Sequence, residues 1–296
     1  MQEIPHSELI INPDGSIFHL HLRPDEIADT VILVGDPGRV DTVAKYFDSI
    51  EVQKSNREFI SKTGYVGSRR LTVLSTGIGV GNIDIVMTEL DALVNVDFST
   101  RTVKQERRSL RILRLGTSGA LQPDIPVGSI LMSDISAGTD GLLNFYAERE
   151  KVCIGELERA FVKHTEWNSQ LPTPYFVPAA KLFTELFGNE ILHGITISAP
   201  GFYGPQGRVV RLGLHDAEML AKIESFEFNG QRISNFEMES SAIAGLSLLL
   251  GHQAATICAI ITNRHLRNVE ADYQFIVKQM IEKAIEKLSA KFTIDN

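Results

Sequence analysis

Short, dense runs of apolar and β-branched residues recur along the chain, and several stop at glycine. TVILV (30–34) precedes GDPGR, LTVLS (71–75) precedes TGIGVGN, and LRILRL (110–115) precedes GTSG. ILHGITISAP (191–200) and ATICAIIT (255–262) have the same character. Apolar runs of this length without alternation predict strands covered on both faces. Between them the spacing becomes helical. Val40, Val43, Ala44 and Phe47 share one face behind Asp36 and Pro37, which suit a helix start. NIDIVMTELDALVNV (82–96) and SSAIAGLSLLL (240–250) predict two further helices. Val277, Ile281, Ile285 and Leu288 predict a last amphipathic one. Strands separated by helices imply an α/β fold around a mostly parallel or mixed sheet. With no internal repeat and no long low-complexity linker, 1–296 reads as a single domain. The polar stretch STRTVKQERR (99–108) reads as an exposed helical extension or an insertion.

Composition narrows the setting. The 296 residues are 43% hydrophobic and 22% charged, with a formal net charge of -8. That charge gives no global attraction to nucleic acid or to an acidic membrane, while leaving room for a locally basic pocket. Two cysteines, Cys153 and Cys258, point to a reducing compartment rather than a disulfide framework. The polar start does not resemble a secretory leader, and no apolar run reaches membrane-spanning length. A cytoplasmic protein without nucleic-acid or membrane partners is expected.

Candidate chemistry gathers at the ends of the predicted strands. In α/β sheets, ligands settle there because glycine turns expose backbone N–H groups. Gly35 and Arg39 follow the first strand, and Arg114 stands directly before Gly116 and Thr117. Amides plus forked guanidinium groups suit a phosphate dianion. Arg114 also interrupts an apolar strand, where an unpaired charge would be costly. The glycines of TGIGVGN fall at 77, 79 and 81, so GxGxxG is absent and a nicotinamide site is rejected. GTSG is no nucleophile elbow, which requires GxSxG. FYGPQGR brings an aromatic face, Phe202, beside Gln206 and Arg208, a donor and acceptor set suited to a planar heterocycle. In NFEMES, Glu237 and Glu239 flank Met238. They are either acids favoured at a helix start or acceptors for a sugar diol, and the residues alone do not assign them.

The ordered set GDPGR, NREF, STGIG, RLGTSG, FYGPQGR, FEMES and TNR resembles the uridine phosphorylases of the nucleoside phosphorylase family. The resemblance runs from FHL (18–20) to TNR (262–264). It implies a three-layer α/β/α sandwich around a central mixed, partly barrel-like sheet. It also implies a pentosyltransferase that reversibly converts uridine and phosphate to uracil and ribose 1-phosphate. Inorganic phosphate is then a co-substrate and no cofactor is required. Carried over by position, Gly35, Arg39, Arg114 and Thr117 bind phosphate, and Thr117 also approaches the ribose. Arg57 of NREF resembles an arginine lent by a neighbouring subunit to that phosphate. His19 resembles a histidine that crosses the same interface to the ribose 5′-hydroxyl. Phe202 flanks the base, Gln206 and Arg208 read the uracil edge, and Met238 and Glu239 hold the ribose, with Glu237 in support. A homo-oligomer of at least two chains follows; a hexamer stays open because of the insertion at 99–108. In some relatives the positions of Glu58, Ile78 and Asn82 line a monovalent cation site. Asn82 stands where those have serine, so potassium is left open. Purine phosphorylases of the family carry an aspartate where this chain has Thr262, Asn263 and Arg264, which favours a pyrimidine. Arg264 is expected near Arg208 or, through water, near the uracil oxygen. The rivals are a purine phosphorylase, a phosphate-independent nucleosidase, and a nucleoside-binding protein without catalysis. Replacing Arg114 with alanine is expected to abolish most activity with little effect on folding.

Overall fold

The computed structural model describes residues 2–266, 268–269 and 273–290. Its first part contains β1 (Thr30–Val34), α1 (Pro37–Ala44), β2 (Ser49–Asn56), β3 (Phe59–Val66), β4 (Arg69–Ser75) and α2 (Val80–Asn95). A short ribbon of β5 (Val96–Asp97) and β6 (Thr102–Val103) leads to β7 (Arg111–Ala120) and β8 (Ile130–Gly138). Next come α3 (Gly155–Thr165), β9 (Tyr175–Pro178), α4 (Lys181–Phe187), β10 (Leu192–Ser198) and α5 (Met219–Glu224). The remainder is β11 (Glu227–Phe228), β12 (Gln231–Glu237), α6 (Ser240–Leu250), β13 (Gln253–Asn263), β14 (Asn268–Val269) and α7 (Gln274–Ser289).

The main sheet runs β11-β12-β10-β8-β13-β7-β1-β4-β3-β2. A further pairing closes part of it. β12 meets β7 antiparallel, Asn235 opposite Ala120 and Phe236 opposite Gly119, so β7, β13, β8, β10 and β12 form a small barrel. β1, β4, β3 and β2 extend from it as an open wing, giving the mixed, partly barrel-like sheet with helices on both faces.

β1 shows why its sequence does not alternate. Val31 and Leu33 pack into one core with Ile83, Val86 and Leu90 of α2 and Ile243 and Leu246 of α6. Ile32 and Val34 point the other way, into a second core with Val40 and Val43 of α1, Phe183 of α4 and Ile281 of α7. Each such side chain contributes roughly 1.5–3 kcal/mol when fully buried. Helix α1 starts as its residues require: the Asp36 carboxylate accepts from Gly38 N at 2.9 Å, and Pro37 occupies the first turn. Val277, Ile281, Ile285 and Leu288 form the buried face of α7. Among the described residues, no helix is long and apolar enough to cross a membrane.

Three expectations change. GTSG is not a turn, because β7 continues through it to Ala120. The stretch 99–108 is not helical; it forms part of the β5–β6 ribbon and the loop after it. Within it Arg101 is buried at φ +54°, and its guanidinium donates to Ile4 O at 2.8 Å, Pro5 O at 3.1 Å and Leu9 O. Arg101 therefore clasps the N-terminal segment, while residues 99–100 and 105–108 are exposed as expected. Phe47 is buried as expected but lies beyond the end of α1.

Candidate active site

Parallel pairing places the C-terminal ends of β1, β4 and β7 side by side, with Val34 opposite both Ser75 and Leu115. A cleft of about 700 Å³ opens there. Gly35, Arg39, Arg114, Thr117, Phe202, Gln206, Arg208, Met238 and Glu239 all line it. His19 and Arg57 are not among its lining residues.

One end is cationic. Arg39, on α1, donates to Leu115 O at 3.1 Å and so leans across the end of β7. Burial pulls its guanidinium below its ordinary pKa, and the neighbouring charge of Arg114 pulls it the same way. Two guanidinium groups held close and partly desolvated create a demand for an anion. Arg114 is buried, and its Nη2 donates to Glu239 Oε2 while its Nη1 lies 3.1 Å from Glu237 Oε2. Burial alone would lower its pKa; Glu239 and Glu237 more than offset this and hold it above the usual value. Its Nε is buried with no partner among the described residues, a donor still to be satisfied.

Gly116 makes this arrangement possible. A Cβ there would stand 2.1 Å from Arg114 Nη1 and 2.9 Å from its Cζ, so the guanidinium folds back over a bare strand residue. Cys258 closes the space, its Sγ 3.9 Å from Arg114 Nη1 and its thiol pushed up to about 12 by burial.

The two acids of NFEMES divide their work. Glu237 ends β12 and accepts from Glu239 N at 2.8 Å and Ser240 N at 3.0 Å, with the Ser240 hydroxyl at 2.7 Å and that of Ser198 also bonded. It caps α6 and braces Arg114. Glu239 accepts from Gly79 N at 2.6 Å, and its second oxygen holds Arg114. Burial raises its pKa, Arg114 opposes that, and Glu237 adds to it. Met238 lies between them on the cleft wall.

At the other end, Arg208 lies over the Phe202 ring at 3.9 Å and donates to Phe202 O at 2.6 Å and to Gln206 Oε1. Burial and then the charge of Arg264 lower the Arg208 pKa to about 10. Arg264 donates to Gln206 O at 2.8 Å, so it seats Gln206 through the backbone rather than bonding Arg208. Asn263 is buried and turned into the fold, its amide donating to Gln122 O at 2.9 Å and Ile125 O at 3.0 Å. Among the described residues, the carboxylates lining the cleft are Asp36, Glu58, Glu237 and Glu239, and none of these comes from the Phe202–Arg208 loop or from the exit of β13. A more apolar cavity of about 490 Å³ shares Gln206 and Phe236 with the cleft but has no arginine in its lining.

The residues expected to act across an interface sit together away from this chain's own cleft. Arg57 is exposed in the β2–β3 turn at φ +53°, a left-handed conformation that is uncommon outside glycine. Asn56 Nδ2 donates to His19 O at 2.8 Å, tying the FHL segment to that turn. Glu58, Ile78 and Asn82 all reach the cleft, but Asn82 Nδ2 donates to Glu58 Oε1 at 3.1 Å. Gly77, at φ +70°, permits the contact, since a Cβ would meet Asn82 Nδ2 at 2.5 Å.

Sequence reasoning did not single out Ser198, Ser240 or Glu89. The hydroxyls carry no pattern of their own. Glu89 did leave a signal, an acid three residues after Val86 and four before Leu93 on an otherwise apolar helix face.

The model of the Phosphorylase superfamily matches residues 29–293. The chain is 28% identical to the uridine phosphorylase of Haemophilus influenzae over 275 residues, 92% of this chain and 95% of that one. It is 28% identical over 252 residues, 83% of each chain, to the guanosine phosphorylase of Halorubrum lacusprofundi. Among solved structures it is similar to a Trypanosoma brucei nucleoside phosphorylase described as showing uridine phosphorylase activity. That match has a TM-score of 0.82 and 29% identity, covering 96% of this chain and all of the other.

Proposed function

Because this chain belongs to the Phosphorylase superfamily, among whose members it matches nucleoside phosphorylases, we propose that it is a uridine phosphorylase converting uridine and inorganic phosphate to uracil and ribose 1-phosphate. The observation that carries this reading is the pairing, in one cleft, of two neighbouring arginines with a Gln206–Arg208 pair whose own loop and whose β13 side contribute no carboxylate to that cleft among the described residues. Protonation of a leaving purine calls for a carboxylic acid near the ring. Departure of uracil as an anion calls for donors, which Arg208 and the Gln206 amide supply.

The reaction follows from the charges. Phosphate lies between Arg39 and Arg114 beneath the anomeric carbon, with Gly35 and Thr117 at its edge. Glu239 and Met238 fix the ribose, Glu239 accepting from the 2′- and 3′-hydroxyls. As the glycosidic bond stretches, positive charge develops on the sugar and faces the phosphate, which then forms the new C–O bond. The two electrons of the broken bond leave with uracil, whose charge Gln206 and Arg208 absorb. No side-chain nucleophile is needed, and catalysis is positioning plus electrostatic stabilisation.

Charge also argues for a second subunit. Arg114 is offset by Glu237 and Glu239, which leaves Arg39 as the arginine of the two still facing a dianion and leaves part of the counter-charge to be supplied. Arg57 of the partner subunit supplies it, and His19 of the partner subunit meets the 5′-hydroxyl. The acting species is a homo-oligomer of at least two cytoplasmic chains, each using residues 1–296 as one catalytic unit.

Parallel assays with uridine, thymidine, inosine and methylthioadenosine, each with and without phosphate, test the assignment. Uridine cleaved only with phosphate supports it. Preferred cleavage of inosine, or cleavage without phosphate, replaces it with a purine phosphorylase or a nucleosidase. Uridine binding with no turnover identifies a silent binder.

A further inference from the structure

We infer that Glu89 is a positioning residue for the ribose 5′-hydroxyl, acting through His19; this rests on the proposed function and deepens it. Glu89 sits in the middle of α2 and is 8% exposed, a costly place for a carboxylate unless its oxygens are satisfied. They are. Oε1 lies 2.6 Å from His19 Nδ1, both oxygens accept from His19 N at 3.1 Å, and Oε2 accepts from Leu20 N at 2.9 Å.

A carboxylate only accepts, so the proton of the imidazole lies on Nδ1. That leaves Nε2, facing away from Glu89, as the ring nitrogen that meets an incoming hydroxyl. The ring is also held edge-on to Phe18 at 4.8 Å and to Phe59 at 6.4 Å. Both its tautomer and its direction are therefore set before a partner subunit presents a sugar. The N-terminal end of α2 reaches the same chain's cleft, where Asn82 lines the wall and Gly79, just before the helix, anchors Glu239. One helix thus holds the sugar-diol acid of its own cleft and the hydroxyl acceptor sent to the neighbouring one.

A purely structural Glu89 would pin the N-terminal segment and affect all substrates alike. A positioning Glu89 affects only substrates that carry the 5′-hydroxyl. The test measures kcat/KM for uridine and 5′-deoxyuridine at saturating phosphate in the wild type, Glu89→Gln, His19→Ala and the double variant. The expected result is a preference for uridine that falls roughly tenfold in each single variant and no further in the double one. Turnover of 5′-deoxyuridine by Glu89→Gln should stay within about twofold of the wild type.

The inference is overturned, with the function intact, if His19→Ala loses the preference while Glu89→Gln keeps it or slows both substrates equally. If His19→Ala keeps the preference, the placement of His19 falls and this inference falls with it. A wild type that cleaves neither nucleoside overturns the function itself. Should Glu89→Gln fail to fold, ¹⁵N spectra of wild-type His19 decide. A proton on Nδ1 is expected, and one found on Nε2 alone overturns the inference.

Discussion

Arg114 and Glu239 form a buried ion pair on the floor of the cleft, Nη2 to Oε2, with side chains each only 5% exposed. The cation proposed to hold phosphate and the anion proposed to hold the sugar diol are therefore one electrostatic unit. Substituting Glu239→Gln should weaken uridine turnover by on the order of 10²–10³ in kcat/KM, the usual cost of removing a positioned group. It should also tighten phosphate binding to the free protein, because Arg114 loses a competing negative charge. Steady-state kinetics and phosphate titration calorimetry check the two signs separately.

The same pairing changes what Arg114→Ala should do. The sequence suggested loss of activity with little effect on folding. In the structure the substitution strands Glu237 and Glu239, both buried, without their counter-charge. Breaking a buried pair by removing one partner costs about 3–5 kcal/mol. The expected outcome is a protein both inactive and less stable by that order, read from urea unfolding beside the turnover assay.

Gly116→Ala should mimic part of this loss without removing a charge. The added methyl would overlap Arg114 Nη1 and Cζ and approach Cys258 Sγ at 3.1 Å, forcing the guanidinium off its carboxylates. A fall in kcat/KM for phosphate of on the order of 10² is expected, with strand content unchanged by circular dichroism. Gly119→Ala, whose Cβ would meet Thr262 Cγ2 at 2.9 Å, should be milder because no ion pair lies in its path.

These glycines mark where the sequence was legible and where it was not. β1, β4 and β13 announced themselves because residues of opposite parity enter two different cores, which leaves a run without alternation. β2 gave no such signal, since its residues are exposed or half-buried. GTSG looked like a turn because glycine usually serves one. Here its two glycines instead admit side chains against the strand, a three-dimensional need with no local signature. Likewise 99–108 looked solvated by its charges, yet Arg101 is spent on carbonyls of a segment nearly a hundred residues away. Residues of the cleft were legible as types at strand ends. Their contacts were not: neither the Arg114–Glu237–Glu239 cluster nor Arg264 seating the Gln206 carbonyl follows from spacing.

A half-buried acid outside the cleft gives a pH signature. Asp140 accepts from Leu142 N at 2.7 Å, Tyr175 Oη at 3.0 Å and Ser241 Oγ at 3.0 Å. Burial still raises its pKa above the ordinary 3.8, those hydrogen bonds only partly opposing it. The folded protein therefore binds this proton more tightly than the unfolded chain. The contribution is fully present below 3.8 and is lost as pH rises through the raised folded value. Urea midpoints of the wild type relative to Asp140→Asn should fall across that window and level off above it. A difference that stays flat, or rises with pH, would contradict the assignment.

The central claim is that phosphate, clamped by Arg39 and Arg114, attacks the sugar. ³¹P spectroscopy of the protein with uridine and inorganic phosphate tests it directly. A ribose 1-phosphate signal growing one-for-one with free uracil is expected, as is its loss in Arg39→Ala. Uracil appearing with free ribose while phosphate is untouched, or no consumption of either substrate, would contradict it.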